Sequence, residues 1–221
     1  MNKKALIAEF IGTFTLIFIG VGSIVADYLS GGKLGLTGIA LAHGLAIGVM
    51  VSATAAVSGG HLNPAVTIGL WSAKKIDTTN AIGYCVAQCL GGIFAAFLIK
   101  QCVPVAALAA VNMGTPALGV GVTPQMGLIT EIILTFFLVF VVYGTAVDSR
   151  APKCGGLFIG LTIVLDILMG GPICGGAMNP ARFTGPALLG GGLHNAWIYW
   201  VGPIVGGVLA AQIYKTQLEK Q

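Results

Sequence analysis

The tripeptide Asn-Pro-Ala occurs twice, as Asn63-Pro64-Ala65 and Asn179-Pro180-Ala181, each time after a glycine pair, Gly59-Gly60 and Gly175-Gly176. Asparagine is a strong helix N-cap and proline suits the first helical position, so each copy marks a helix start. The apolar stretches that follow are short, about Asn63 to Trp71 and Asn179 to Leu189. At 1.5 Å per residue each covers roughly 15 Å, about half the hydrocarbon of a bilayer, so neither can span it alone.

The rest of the chain is built for lipid. Hydrophobic residues make up 56% of it and charged residues 8%, with a mean hydropathy of +0.94, far outside the range of soluble domains. Six apolar segments reach membrane-spanning length, roughly Lys4–Ala26, Leu36–Val57, Asn80–Gln101, Gln125–Val147, Gly156–Gly171 and Asn195–Tyr214. The first is longer than a signal-peptide core and lacks a cleavage site, so it reads as a spanning helix. Lys3, Lys4, Lys74, Lys75, Arg150, Lys153, Lys215 and Lys220 fall on one side of this topology, against Lys33 and Lys100 on the other. The positive-inside rule then predicts cytoplasmic termini. The net charge of +4 follows from these topogenic loops and gives no support to nucleic-acid binding.

The two halves repeat. Leu6-Ile7-Ala8-Glu9-Phe10 matches Leu128-Ile129-Thr130-Glu131-Ile132, and the Asn-Pro-Ala boxes match further on. Three spans in each half force the second copy to enter the membrane the opposite way up. The predicted fold is a single all-α membrane domain over 1–221, with six transmembrane helices and two re-entrant half-helices. Its inverted repeats cover about 5–102 and 127–215, joined by the linker 103–124. The half-helices then meet, N-terminus to N-terminus, near the midplane. Non-helical backbone at that depth is tolerable where protein buries it or water lines it, so the geometry implies a pore.

With these residues the chain resembles the aquaporins, the major intrinsic protein family, over nearly its whole length. The resemblance rests on two Asn-Pro-Ala boxes, one followed by Val66 and the other by Arg182, with Glu9 and Glu131 in the matching helices. It implies a passive channel for water, with ammonia as a second permeant, that excludes protons and ions. It also implies a homotetramer in a lipid bilayer, with the cell membrane as the default location. Half-helix dipoles aimed at the centre repel cations. Each capping asparagine is expected to spend its carbonyl oxygen on backbone N–H groups near Ala65-Val66 or Ala181-Arg182, leaving its NH2 free for water. Glu9 and Glu131 are expected to accept bonds from the re-entrant loops, against a proton-relay alternative.

By spacing from the motifs, the family's selectivity filter carries over to His43, Ile167, Gly176 and Arg182. Arg182 lies three residues into its half-helix, roughly 4.5 Å outward of Asn179. The usual water-channel pattern resembles phenylalanine, histidine, a small residue and arginine. Here histidine stands on the second span and isoleucine on the fifth, a set similar to that of some plant tonoplast aquaporins. Glycerol facilitators resemble a pattern with aspartate after the second box's arginine, where this chain has Phe183; Ala187 and Tyr199-Trp200 resemble the water-selective branch.

Other residues carry weaker signals. His61 is expected to pack around the first loop. Asp166 could accept a bond from His43 or from a neighbouring subunit, or reach the outer interface. Cys85, Cys89, Cys102, Cys154 and Cys174 form no zinc-type spacing with the histidines, and no metal or other cofactor is expected. Cys85 and Cys89 read as core, and Cys174 as a mercurial-sensitive thiol at the pore mouth. No nucleophile-and-base pair or phosphate loop suggests an enzyme. The rival from another class is a coupled secondary transporter, since inverted repeats and broken helices occur there too.

Overall fold

A computed structural model describes residues 2–151 and 153–219, and every regular element among them is helical. Lys220, one of the cations in the loop bias, lies outside the described residues. The first half contains α1 (Lys3–Leu29), α2 (Gly35–Ser58), the half-helix α3 (Pro64–Ser72) and α4 (Thr78–Cys102). After a short α5 (Val105–Ala110) in the linker, the second half contains α6 (Pro124–Val142), α7 (Gly155–Cys174), the half-helix α8 (Pro180–Pro186) and α9 (Ile198–Ile213). Local chemistry sets the starts. Asn2, Asp77 and Thr123 each accept an N–H from the first turn of α1, α4 and α6, and Pro64, Pro124 and Pro180 occupy first-turn positions that donate nothing.

Among the described residues, five helices are long and apolar enough to cross a membrane. The sixth expected span is shorter than its apolar run. Asn195 takes a left-handed φ of 55° in a turn, so α9 begins only at Ile198; a π-helical turn, Tyr214–Leu218, extends its far end. The second half-helix likewise passes after Pro186 into a π-helical turn that runs to Gly191.

The long helices form a ring. α1 packs on α2 and α4, α2 on α7, α7 on α6, and α6 on α9. The half-helices fill the gap between α4 and α9, with α3 against α9 and α8 against α4. Two glycines permit this. A Cβ at Gly92 would lie 2.8 Å from the Ala181 carbonyl oxygen, and one at Gly207 2.8 Å from that of Ala65. The halves are thus interlocked, each long helix cradling the other half's short one.

Both termini share one face. Arg150 donates to the Leu218 carbonyl, Lys75 pairs with Glu219, and the start of α1 borders the start of α4. Large apolar side chains such as Ile11, Leu45, Val86, Phe137, Leu165 and Val205 remain exposed around the ring's outer wall, as a lipid-facing surface requires.

Candidate functional site

The re-entrant loops are wound by left-handed residues in matching order. Gly59, Gly60 and Leu62 have φ of 89°, 64° and 51°, and Gly175, Gly176 and Met178 have 84°, 54° and 51°. Leu62 and Met178 bear side chains in a region that costs a non-glycine residue free energy, so something must hold them there. The two buried glutamates do. Glu9 accepts the backbone N–H of His61 (3.0 Å) and Leu62 (2.6 Å), and Glu131 accepts those of Ala177 (2.8 Å) and Met178 (2.7 Å).

Side chains complete each anchor differently. Glu9 also accepts the Ser58 hydroxyl at 2.6 Å and the Gln88 amide at 2.7 Å. The same Gln88 NH2 group donates to Thr67, which accepts the His61 Nδ1–H and donates to the Asn63 carbonyl. In the second half the Cys174 thiol donates to Glu131 at 3.1 Å, and Phe183 stacks on Tyr199 with centroids 4.6 Å apart. Tyr84 and Tyr199 fill equivalent roles, donating to the carbonyls of Ser58 and Cys174.

The asparagines clasp each other's loops. Asn63 caps α3 by accepting Ala65 N–H at 2.8 Å, and Asn179 caps α8 by accepting Ala181 N–H at 3.0 Å and Arg182 N–H at 3.3 Å. Asn63 Nδ2 donates to the Met178 carbonyl (2.8 Å), and Asn179 Nδ2 to the Leu62 carbonyl (3.0 Å). This corrects the expectation of a wholly free NH2 group: one hydrogen of each amide ties the loops together and the other remains. The cap on Val66 is also missing, since Asn63 Oδ1 serves Ala65 alone.

A cavity passes this clasp. Apolar side chains including Leu16, Ile47, Val66, Leu138 and Ile163 form most of its wall, and the polar side chains on it are His43, His61, Asn63, Asn179 and Arg182. Gly60, His61, Gly176 and Ala177 border it too, and their carbonyl oxygens accept no hydrogen bond from any described residue. These carbonyls thus remain free to accept from whatever reaches them.

His43, Ile167, Gly176 and Arg182 all lie along this wall. Arg182 NH1 donates to the Gly114 carbonyl at 2.8 Å, and its NH2 approaches His43 Nε2 at 3.5 Å. His43 Nδ1 lies 2.8 Å from the Ile39 carbonyl and must donate to it, which leaves Nε2 as the acceptor facing the guanidinium. On the α1 side, Gly20 has no Cβ because one would lie 2.4 Å from His43 Nε2.

The sequence profile of one family, described as "Major intrinsic protein", matches residues 1–214. The chain belongs to the major intrinsic protein family. Among its relatives, "Aquaporin TIP4-4" of Zea mays is 46% identical over 96% of this chain and 85% of its own length. "Aquaporin TIP2-3" of Arabidopsis thaliana is 44% identical over 96% of this chain and 86% of its own. The fold is similar to a solved structure, the aquaglyceroporin from Plasmodium falciparum, with a TM-score of 0.88 and 26% identity over 99% of this chain and 97% of that one.

This major intrinsic protein is therefore a multi-pass integral membrane protein, and its relatives' names lend no support to the cell membrane in particular. The expectation for Cys174 is corrected. Cys174 is not at a pore mouth: it is wholly buried, absent from the cavity wall, and turned toward Glu131 because it ends α7 on that helix's inner side. Asp166 does not reach His43, whose ring nitrogens face Ile39 and Arg182. Cys85 and Cys89 are half-buried, not core. His61 packs around the first loop as expected, edge-on to Tyr84, and also borders the cavity. The Gly114 carbonyl and the Gln88–Thr67 pair went unseen in the sequence. Gln88 carried one usable signal, a lone amide in the middle of an apolar span.

Proposed function

We propose that this protein is a passive channel that conducts water, with ammonia as a second permeant, and excludes protons and ions. The observation that carries this reading is the reciprocal clasp of Asn63 and Asn179 at the centre of a mostly apolar cavity. Each asparagine holds one amide hydrogen for the opposite loop and has one left for the cavity. A water at the centre presents its oxygen to these donors, so its own hydrogens point away along the pore. A proton-hopping chain needs uniform orientation and loses it there. The positive ends of both half-helices add electrostatic repulsion of cations.

His43, Ile167, Gly176 and Arg182 act as the selectivity filter in this reading. Arg182 is a fixed positive charge in the wall, and His43 Nε2 and the loop carbonyls supply acceptors. Ile167 makes the opposite wall greasy, which favours small neutral solutes that shed water easily, ammonia among them. Glycerol conduction is disfavoured by Phe183, which is buried against Tyr199 and brings no polar group to the pore. Glu9 and Glu131 anchor the loops; with their oxygens occupied by loop donors they are unsuited to a proton relay, which argues against coupled transport.

The face carrying the termini is cytoplasmic by its lysines and Arg150, and the chain works as a homotetramer with one pore per subunit. Stopped-flow light scattering on vesicles containing the purified protein tests the function. Osmotic shrinkage several-fold faster than bare lipid, unchanged by an imposed ion or proton gradient, is the expected result. Shrinkage at the bare-lipid rate refutes the channel, and solute flux that follows the gradient refutes passivity.

A further inference from the structure

The seam between α1 and α4 differs in its two halves. The helices touch where a Cβ at Gly91 would lie 2.4 Å from the Phe10 carbonyl oxygen. From that contact toward the face that carries the termini they leave an open groove on the outer wall, bordered by Leu6, Ile7 and Phe10 of α1 and by Gly83, Val86 and Leu90 of α4. In the other direction the seam is packed with rings: Phe10 and Phe14 lie 6.0 and 5.9 Å from Phe94, and Phe94 stacks on Phe97. Glu9 and Gln88, bonded to each other beside the first re-entrant loop, stand one and two residues from Phe10 and Leu90, so the groove ends near the midplane.

From Thr79 at the outer end to Leu90 is eleven residues of helix, roughly 16 Å. One leaflet of hydrocarbon is about 15 Å deep. The groove thus matches one acyl chain in depth and is closed where the chain's tip would lie. A partner's spanning helix is twice that length and would meet Phe94 and Phe97, which are 44% and 48% exposed beyond the groove's end.

The rim is basic. Lys3 shares the α1 stripe of Ile7 and Phe10, four and seven residues on, and Lys4 follows it. Both are exposed, and neither takes part in the two ion pairs among the described residues, Lys75 with Glu219 and Arg150 with Asp148. Asp77, the cap of α4, spends its oxygens on the backbone and side chain of Asn80 at 3.0 and 2.6 Å. Thr79 is exposed at the outer end and adds a hydroxyl. Lysine stems lie along apolar surface while their ammonium groups stay at the headgroup level.

We infer that this groove is a binding site for an anionic phospholipid of the leaflet on the side of the termini, with one acyl chain laid between α1 and α4 as far as Phe10 and the phosphate held by Lys3 and Lys4. The site is separate from the pore, since no residue of the groove borders the central cavity.

Photolabelling tests it on the intact protein in phosphatidylcholine vesicles. Two trace probes, phosphatidylglycerol and phosphatidylcholine, carry the same diazirine at the tip of one acyl chain. At equal mole fraction the phosphatidylglycerol probe should label residues around Phe10 and Leu90 several-fold more strongly, since each lysine near an anionic headgroup is worth roughly fivefold. Lys3→Gln/Lys4→Gln should erase that difference, and Lys215→Gln, which removes a charge beyond the end of α9, should keep it. Gly83→Phe, which fills the groove, should abolish labelling there by either probe. The size-exclusion profile in mild detergent reports that each variant is folded, whatever the pore conducts. Equal labelling by the two probes in wild type, or a preference that survives the double lysine variant, overturns the headgroup assignment. Labelling that misses residues 79–90, or that persists in Gly83→Phe, overturns the groove.

Discussion

Ser58 and Cys174 are the same position in the two halves, five residues before Asn63 and Asn179, and each gives its side-chain hydrogen to the buried glutamate of its own half. The hydroxyl does so at 2.6 Å and the thiol at 3.1 Å. Serine already performs the task at one site, so Cys174→Ser should keep the loop anchored. Thermal unfolding in detergent should change by no more than about 1 kcal/mol, the net worth of one hydrogen bond, and osmotic shrinkage should stay at the wild-type rate. Mercurial inhibition, where the wild type shows it, should persist in the variant. Its disappearance would mean that the thiol is reached from the pore after all.

Both glutamates should resist replacement by amides. In Glu9→Gln the Ser58 hydroxyl or the Gln88 amide can turn to accept from the new NH2, but a backbone donor cannot: His61 loses its acceptor if Oε1 becomes NH2, and Leu62 if Oε2 does. In Glu131→Gln the amide can turn so that Met178 alone loses its acceptor. Each stranded buried donor costs about 1–3 kcal/mol, so both variants should be destabilised by that step. Thermal unfolding of the two variants beside wild type checks this, and a variant as stable as wild type would contradict it.

How much of this was legible beforehand depends on whether a signal is local. Asn-Pro-Ala carries its own cap and its own first-turn proline, so the half-helices were readable from three letters, and an acid inside an apolar span announces a partner. The six spans were marked to within a few residues because lipid demands long apolar runs. The cross-loop bonds of Asn63 and Asn179 join residues more than a hundred positions apart, and each ends on a backbone carbonyl, which no residue type advertises. The same holds for Gly114, which supports Arg182 from a linker without any motif. Cys174 was misplaced because a loop-proximal cysteine gives no hint of its direction; the rotation of α7 decides that.

Gly20 should be irreplaceable and Gly22 should not. A Cβ at Gly20 would sit 2.4 Å from His43 Nε2, whereas one at Gly22 would find its nearest neighbour, Ile99 Cδ1, at 3.8 Å. Gly20→Ala must push the imidazole away from α1 and disturb its approach to Arg182. Osmotic shrinkage should change several-fold in Gly20→Ala, or its ranking of water against ammonia should shift, with Gly22→Ala as wild type. Identical behaviour of both variants would remove His43 from the conduction path.

The C-terminal segment is held by charges outside the membrane, and their titration has a defined sign. Lys75 and Tyr143 hold the Glu219 carboxyl below the usual carboxylate range, and Arg150 does so more strongly for Asp148 while also donating to the Leu218 carbonyl. A depressed carboxylate stabilises while ionised, so its contribution is complete above about pH 5 and drains away as pH falls through the lowered folded value. The segment should therefore stay docked from about pH 5 to pH 8 and loosen only in stronger acid. Glu219→Gln removes the ionic hold on Lys75 at every pH, so the segment should be cut faster by protease than in wild type at neutral pH. In acid, where wild type loses the same charge, the difference should shrink. Limited proteolysis across this range reads both effects, and a wild-type segment that loosens near neutral pH would show that some other group governs it.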